Sequence, residues 1–347
     1  MNKTYISEFN QRSNNLGLIK WIAAILVIFS HSFSVAGQGV DYLDRLSGGE
    51  ISFGGFAVAI FFFASGFFVT KSLLRKNDAK AYVVGRISRI YPALIFVLFC
   101  TVFILGPIVS TLPASEYFKS TETYMYLLYL FMIPRYTLPG VFLDNPVSGI
   151  VNGPLWTLLL EAICYIGLLV VWKLGLIKNR RLMRVCGVLL LVLGIAVFGI
   201  KIPLIYGYHL YLRPFILFVI GMLFCVFEDK ICLDIRFFII AVIMSAIFAV
   251  SGYFDLAMIF CFPYILSCVV FGRYQVPDRI GNLGNYSYFM YLVAYPIQQA
   301  FVFYNPDMSV GCICVLASVI SFVISIPGYH VIEKKGASLL SVKTDKA

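Results

Sequence analysis

His31 and Glu161 are the side chains in this sequence best suited to moving a proton, and each lies inside an apolar block. A charged group within a membrane span costs about 2.5–3.5 kcal/mol on insertion scales, so each calls for a reason. An imidazole titrates near neutral pH and can act as a general base, and a carboxylate beside it can orient it and steady the imidazolium. The alternative for His31 is a plain helix contact. For Glu161 it is a structural ion pair, or a protonated carboxyl bonded to a carbonyl. Arg86 and Arg89 close the stretch Lys71–Arg89, which reads as a loop and runs into Ile90-Tyr91-Pro92. Spaced i, i+3, they share a face if the stretch is helical, and two guanidinium forks on one face suit phosphate. Taken alone, ordinary stop-transfer charge is the favoured explanation. Arg213, just before Pro214, could bind an acceptor or a lipid headgroup, or simply anchor a helix at the interface.

Other chemistries find no foothold. There is no Gly-x-Ser-x-Gly elbow, P-loop or dinucleotide fingerprint. The nine cysteines are scattered, and Cys100, Cys164, Cys225 and Cys268 read as buried small hydrophobes. Cys312 and Cys314 match no common zinc spacing, so no metal site is expected.

The elements that must position these groups follow from composition. Of 347 residues, 61% are hydrophobic and only 13% charged, with a mean hydropathy of +0.90. Soluble domains carry about 25% charged residues, so water is not the main solvent of this chain. Apolar blocks run over 16–36, 54–74, 91–111, 154–173, 182–200, 210–228, 237–252, 254–272, 283–304 and 309–331. Each approaches the roughly 20 residues that cross a bilayer as a helix. Residues 1–15 are polar and the first block is too long for a signal-peptide core, so it reads as a permanent span. Tyr124–Ile133 is too short to cross and reads as interfacial or re-entrant. Ser65-Gly66 places small residues inside the second span, where close helix packing explains them.

Charge sets the orientation. With both termini cytoplasmic, only Arg45, Lys119, Arg135, Lys201 and Arg213 of the 27 Lys and Arg residues face outward. Lys20 then sits at the inner end of the first span, where it can snorkel, and His31 and Glu161 occupy similar depths in the outer half. The net charge of +10 is therefore topology, with contact to anionic membrane lipids, and nucleic acid is not an expected partner. The expected fold is all-α: a polytopic membrane helical bundle of about ten transmembrane helices, one domain over residues 1–347. The long outer segment is 112–153, rich in Pro and Tyr and ending in Asn152-Gly153-Pro154.

Taken in order, these pieces resemble the acyltransferase 3 family of bacterial membrane acyltransferases. Lys20 followed eleven positions later by His31 is similar to the family's opening basic-residue and histidine pair. Phe63-Ala64-Ser65-Gly66-Phe67 is similar to its Leu-Ser-Gly-Phe motif, and Arg86-Ile87-Ser88-Arg89-Ile90-Tyr91-Pro92 to its Arg-x-x-Arg-Ile-Tyr-Pro. Leu155-Trp156 through Glu161 resembles Leu-Trp-Ser-Leu-x-x-Glu. Leu283-Gly284-Asn285-Tyr286-Ser287-Tyr288 through Tyr295-Pro296 resembles the Gly-x-x-Ser-Tyr segment, and Ile332-Glu333-Lys334 the closing Ile-Glu-Lys. Lys20 stands where arginine is common, Ala162 where many members have a second Glu, and Ala294 where a histidine is frequent. The last change concentrates proton chemistry on His31.

The resemblance implies transfer of an acyl group, usually acetyl, from cytoplasmic acyl-CoA to a hydroxyl of a cell-surface or lipid-linked glycan at the bacterial inner membrane. On this reading His31 and Glu161 are catalytic, and Arg86, Arg89 and Lys20 hold the acetyl-CoA phosphates. Arg213 and Trp156 contact the acceptor. No resident cofactor is expected, and acyl-CoA is a substrate consumed. The rival reading is transport: a polysaccharide flippase or polymerase, or an exporter of a small acyl metabolite. Ten spans with buried charge and a broken segment at Gly284–Ser287 suit it, while no inverted repeat supports it.

Overall fold

A computed structural model describes residues 4–8, 14–272 and 275–342, with the side chains of Leu204 and residues 340–342 left aside. Lys3, Arg12, Arg273, Lys343 and Lys346, all part of the charge argument above, lie outside the described residues. Among the described residues the secondary structure is mainly helical, with a two-residue antiparallel pairing of Thr4–Tyr5 with Cys232–Leu233 and isolated bridges between Ser110 and Val141 and between Thr137 and Ile150. Among the described residues seven helices are long and apolar enough to cross a membrane: Leu16–Val35, Phe53–Lys76, Ala79–Val109, Gly153–Lys173, Arg180–Gly199, His209–Val226 and Val310–Leu339.

Three predicted blocks differ for identifiable reasons. Block 237–252 becomes the 16-residue helix Ile235–Val250. Block 254–272 divides into Phe254–Phe260 and Phe262–Val270, because Pro263 opens the second helix and cannot continue the first. In block 283–304, a 3-10 turn at Asn282–Asn285 precedes the 18-residue helix Ser287–Tyr304, whose tyrosines and Gln298-Gln299 pair dilute its apolar character. Tyr124–Ile133 does not form a spanning helix. It is the end of Thr121–Met125 and a 3-10 turn, Tyr126–Phe131, closed by Met132 at φ 59°.

The chain divides into two compact units interleaved in sequence. The first comprises residues 1–23, 42–77 and 160–284. Its core contact is the helix pair Phe53–Lys76 and His209–Val226, joined by reciprocal glycines. A Cβ on Gly66 would stand 2.0 Å from the Phe218 carbonyl oxygen, and one on Gly221 would stand 2.2 Å from that of Phe63. Small residues thus let two backbones touch where lipid offers no hydrophobic drive to hold helices together. Gly17 meets Gly281 and Gly284 in the same manner. At one end, Lys71 pairs with Glu228, and Arg180 grips Asp229 with two nitrogens at 2.9 and 2.8 Å.

The second unit comprises 24–41, 78–159 and 285–347. Asp78 caps a helix starting at Ala79, accepting from the Lys80 and Ala81 amides at 2.8 and 3.3 Å. Arg86 and Arg89 therefore lie on a helix, a full turn and more inside it, rather than in a loop as the sequence reads. Val310–Leu339 contains a π turn at Gly328–Glu333, so the closing Ile332-Glu333-Lys334 is helical too. Gly328 lies against the Phe289 ring, and Gly336 against Pro92.

Segment 112–153 is a packed cap. Tyr117, Tyr126 and Tyr129 are fully buried in it. The Tyr117 hydroxyl donates to Val102 O at 2.9 Å, and that of Tyr129 to Leu155 O. Burial pushes all three phenols far up, which keeps them protonated and able to donate. Gln299 fastens the cap to the helix Ser287–Tyr304: its Nε2 reaches Val147 O and Ile150 O at 2.9 and 2.7 Å, while Asn145 donates to its Oε1 at 2.8 Å.

Candidate functional site

In the second unit, His31 occupies the last turns of Leu16–Val35. Its imidazole meets the Tyr295 ring edge to face, 5.3 Å between centroids. Among the described residues, no side chain hydrogen-bonds the ring nitrogens. The groups beside it are committed elsewhere. Ser30 Oγ donates to Asp41 Oδ2 at 2.6 Å, and Ser32 Oγ donates to Ile28 O at 2.8 Å. Gln298, fully buried, donates to Ile28 O and Ser32 Oγ at 2.7 Å each, clamping Ser287–Tyr304 onto the turn that carries His31. Asp41, 1% exposed, is the carboxylate whose charge bears on the imidazole.

The Asn152-Gly153-Pro154 turn borders the same place. Asn152 Nδ2 donates to Leu292 O at 2.8 Å. A Cβ on Gly153 would stand 3.5 Å from Tyr295 Cζ and 3.7 Å from its hydroxyl. Trp156 begins the helix that follows. Beside it, Thr157 and Tyr291 share a hydrogen bond at 2.6 Å and both reach Pro154 O.

Arg89 has a partner that sequence reading does not assign. Its Nη1 lies 3.0 Å from Glu333 Oε2, its guanidinium covers the Tyr288 ring at 5.1 Å, and Tyr288 donates to Ile90 O at 3.0 Å. The guanidinium is 39% exposed and the carboxylate 5%, so one side of the pair is anchored and the other open. Arg86 lies one turn earlier on the same helix.

The remaining candidates belong to the first unit. Glu161 accepts a hydrogen bond from Tyr165, four residues on and so on the same helix face. His31 and Glu161 fall in different units, and the neighbours described for each come from its own unit. Lys20 lies partly exposed in the first helix. Arg213 departs from the sequence expectation of a headgroup contact. It is 2% exposed, one turn inside His209–Val226, and spends its Nη1 on Glu50 O at 2.8 Å and Asp255 Oδ1 at 2.5 Å. Glu50 Oε2 accepts from the Asp255 amide at 3.0 Å, and Lys201 closes the network on Glu50 Oε1. Arg213 thus holds elements together within its unit.

Asp41 and Gln298 are site neighbours that charge and motif counting passed over, while Tyr295 and Glu333 entered only as motif residues with no role assigned. The two adjacent amides of Gln298-Gln299 inside an apolar block were open to the same cost argument that picked out His31. Asp41 lies outside the blocks and gave no such signal.

Comparison with known proteins gives the family. The sequence model of the acyltransferase 3 family, described as an acyltransferase domain, matches residues 13–330. The chain is similar to an O-acetyl transferase of Shigella phage Sf6, 29% identical over 332 residues that cover 88% of this chain and 92% of that protein. It is also similar to Nodulation protein 10 of Rhizobium leguminosarum bv. viciae, 33% identical over 171 residues, 46% of this chain and 45% of that one. No solved structure matches.

Proposed function

The chain belongs to the acyltransferase 3 family, and from that membership we propose that it moves an acetyl group from acetyl-CoA to a hydroxyl of a cell-surface or lipid-linked glycan. The phage relative's name, O-acetyl transferase, supports both the group and the oxygen that receives it. The observation that carries the chemistry is His31, whose ring nitrogens accept no side-chain hydrogen bond among the described residues while the polar groups around it are committed elsewhere. A half-buried imidazole with a nitrogen to spare can accept a proton.

The proposed arrangement has ten spans, the seven above plus Ile235–Val250, the pair Phe254–Phe260 and Phe262–Val270, and Ser287–Tyr304, with both termini cytoplasmic in a bacterial inner membrane. The donor enters from the cytoplasmic side. Arg86, Arg89 and Lys20 hold its phosphates, and the pantetheine arm reaches towards His31. Arg89 keeps one guanidinium edge for this role because Glu333 holds the other. His31 takes the proton of the acceptor hydroxyl as its oxygen attacks the thioester carbonyl. Glu161 and Asp41 are the carboxylates assigned to steady the imidazolium. The thiolate leaves with the proton that His31 returns. Trp156 lines the acceptor's approach, and Arg213 keeps its unit in register.

The test is expression of the parent protein and His31→Ala at matched levels in a host bearing a candidate glycan, followed by mass measurement of the glycan before and after mild alkali. An alkali-labile acetyl increment with the parent alone supports the proposal. The same increment from both proteins removes His31 from the mechanism. Turnover of acetyl-CoA by the purified parent protein separates an acyltransferase from a transporter.

A further inference from the structure

The proposed reaction builds negative charge on the thioester carbonyl oxygen, and a site that performs it needs a hydrogen-bond donor aimed at that oxygen. Within the second unit nearly every donor around His31 is accounted for. The Ser30 hydroxyl goes to Asp41, that of Ser32 to Ile28 O, and that of Ser34 to His31 O at 3.0 Å. Gln298 donates to Ile28 O and Ser32, while Asn152 donates to Leu292 O. Thr157 and Tyr291 share their hydrogen bond and reach Pro154 O. Backbone amides beyond the first turn of each helix are spent on their own turns. Tyr295 differs. Its ring packs edge to face on His31, the residue is 5% exposed, and among the described residues nothing hydrogen-bonds its hydroxyl.

From this juxtaposition we propose that Tyr295 is a catalytic residue: its hydroxyl donates to the thioester carbonyl oxygen as that oxygen becomes an oxyanion. The inference rests on the acyl-transfer reading above and supplies the group that reading lacks. Gly153 makes the space. A Cβ there would stand 3.7 Å from the hydroxyl, so the missing side chain leaves the polar end of the phenol open to a substrate atom. The step balances. The acceptor oxygen forms a bond to the carbonyl carbon and its proton passes to His31, while the C=O electron pair moves onto oxygen, held by the Tyr295 O–H. Collapse restores the C=O and breaks the C–S bond, and the thiolate takes the proton back from His31. Tyr295 keeps its own proton throughout. The low polarity around a buried phenol makes this single hydrogen bond worth more than it would be in water.

The experiment uses the full-length protein in detergent, measuring acetyl transfer from acetyl-CoA to a glycan accepted by the parent. Tyr295→Phe retains the ring against His31 and removes only the hydroxyl. The expected result is a fall in kcat of about 10²–10³-fold, with the KM for acetyl-CoA within about twofold of the parent. Replacement of Tyr295 by a series of ring-fluorinated tyrosines of increasing acidity then gives a kcat that tracks phenol acidity, which a merely structural tyrosine would not do. This second measurement also decides the matter if Tyr295→Phe folds poorly. A Tyr295→Phe enzyme within threefold of the parent kcat, or a flat response across the fluorinated series, overturns the inference while leaving the acyl-transfer reading in place. No transfer by the parent on any acceptor, with no turnover of acetyl-CoA, overturns that reading and this inference together.

Discussion

Arg89 and Glu333, 244 residues apart in sequence, are joined by a 3.0 Å contact between Nη1 and Oε2. Two short motifs far apart in the chain are therefore one device. The buried carboxylate fixes an arginine whose other edge stays open, and Tyr288 supports the guanidinium face. An arginine held in this way loses less freedom on gripping a phosphate than a free one.

Glu333→Gln should accordingly act on the donor more than on the chemistry. The expected outcome is an apparent KM for acetyl-CoA raised about tenfold, equivalent to about 1.4 kcal/mol. kcat should change by less than about threefold. Initial rates across a range of acetyl-CoA concentrations check this, and an unchanged KM would detach Glu333 from donor binding.

Asp255→Ala should be a stability variant. It strands Arg213, a guanidinium only 2% exposed, and breaking one partner of a buried pair costs about 3–5 kcal/mol. Thermal unfolding in detergent should show a large loss. Whatever protein remains folded should bind acetyl-CoA as the parent does.

The glycine pair gives a steric test. Gly66→Ala drives a methyl into the Phe218 carbonyl, with no flexible side chain to move aside, and should destabilise by about 1–3 kcal/mol or more. Gly167→Ala is the matched control. Nothing lies within 4 Å of the added methyl, and alanine favours a helix interior by roughly 0.5–1 kcal/mol, so this variant should melt no lower than the parent.

Asp41→Asn removes the charge that bears on His31 while keeping a hydrogen-bond acceptor for Ser30. kcat should fall about tenfold with KM for acetyl-CoA unchanged, since the imidazolium formed in the reaction would lose its counter-charge. Steady-state rates near neutral pH suffice to measure it.

Lys201 offers a pH test outside the spans. The hydrogen bond to Glu50 is the main cause that raises its pKa above the ordinary lysine value. A raised folded pKa means the contribution is fully present below the unfolded value and is lost as pH climbs through the folded one. Lys201→Gln should therefore melt below the parent at neutral pH, and the gap should close only in strongly alkaline solution. A gap that stays constant with pH would mean the ammonium charge is not what matters.

Much of this was legible in the sequence, and the gaps have physical causes. Hydropathy located the long helices because a bilayer demands about 20 apolar residues from each. It overstated 254–272, where one proline matters more than the average. It placed Arg86 and Arg89 in a loop, because a single cap, Asp78, begins that helix in polar sequence. His31 stood out through cost alone. Tyr295 entered only as part of a motif, since a tyrosine among tyrosines suggests no chemical role until its neighbours are known. Arg213 and Asp255, 42 residues apart, form a pair that local pattern does not reveal. The cap over 112–153 depends on Gln299 reaching Val147 and Ile150, which is tertiary information from the start.

The π turn at Gly328–Glu333 sets the rotational phase of everything after it. Each helical residue advances about 100° around the axis, and a π turn accommodates one residue more than an α turn over a similar rise. Deleting one residue within it would let the helix relax to regular α geometry with Lys334–Leu339 still in phase, whereas deleting Lys334 or Lys335, in the regular α turn that follows, would swing the rest of the helix by about 100°. In that second case Gly336 would leave Pro92, and a bulkier side chain would arrive where even an added Cβ would stand 2.7 Å from the proline's own. The last stretch of helix is thus keyed to the Arg86–Arg89 helix by a count of residues as much as by their identity.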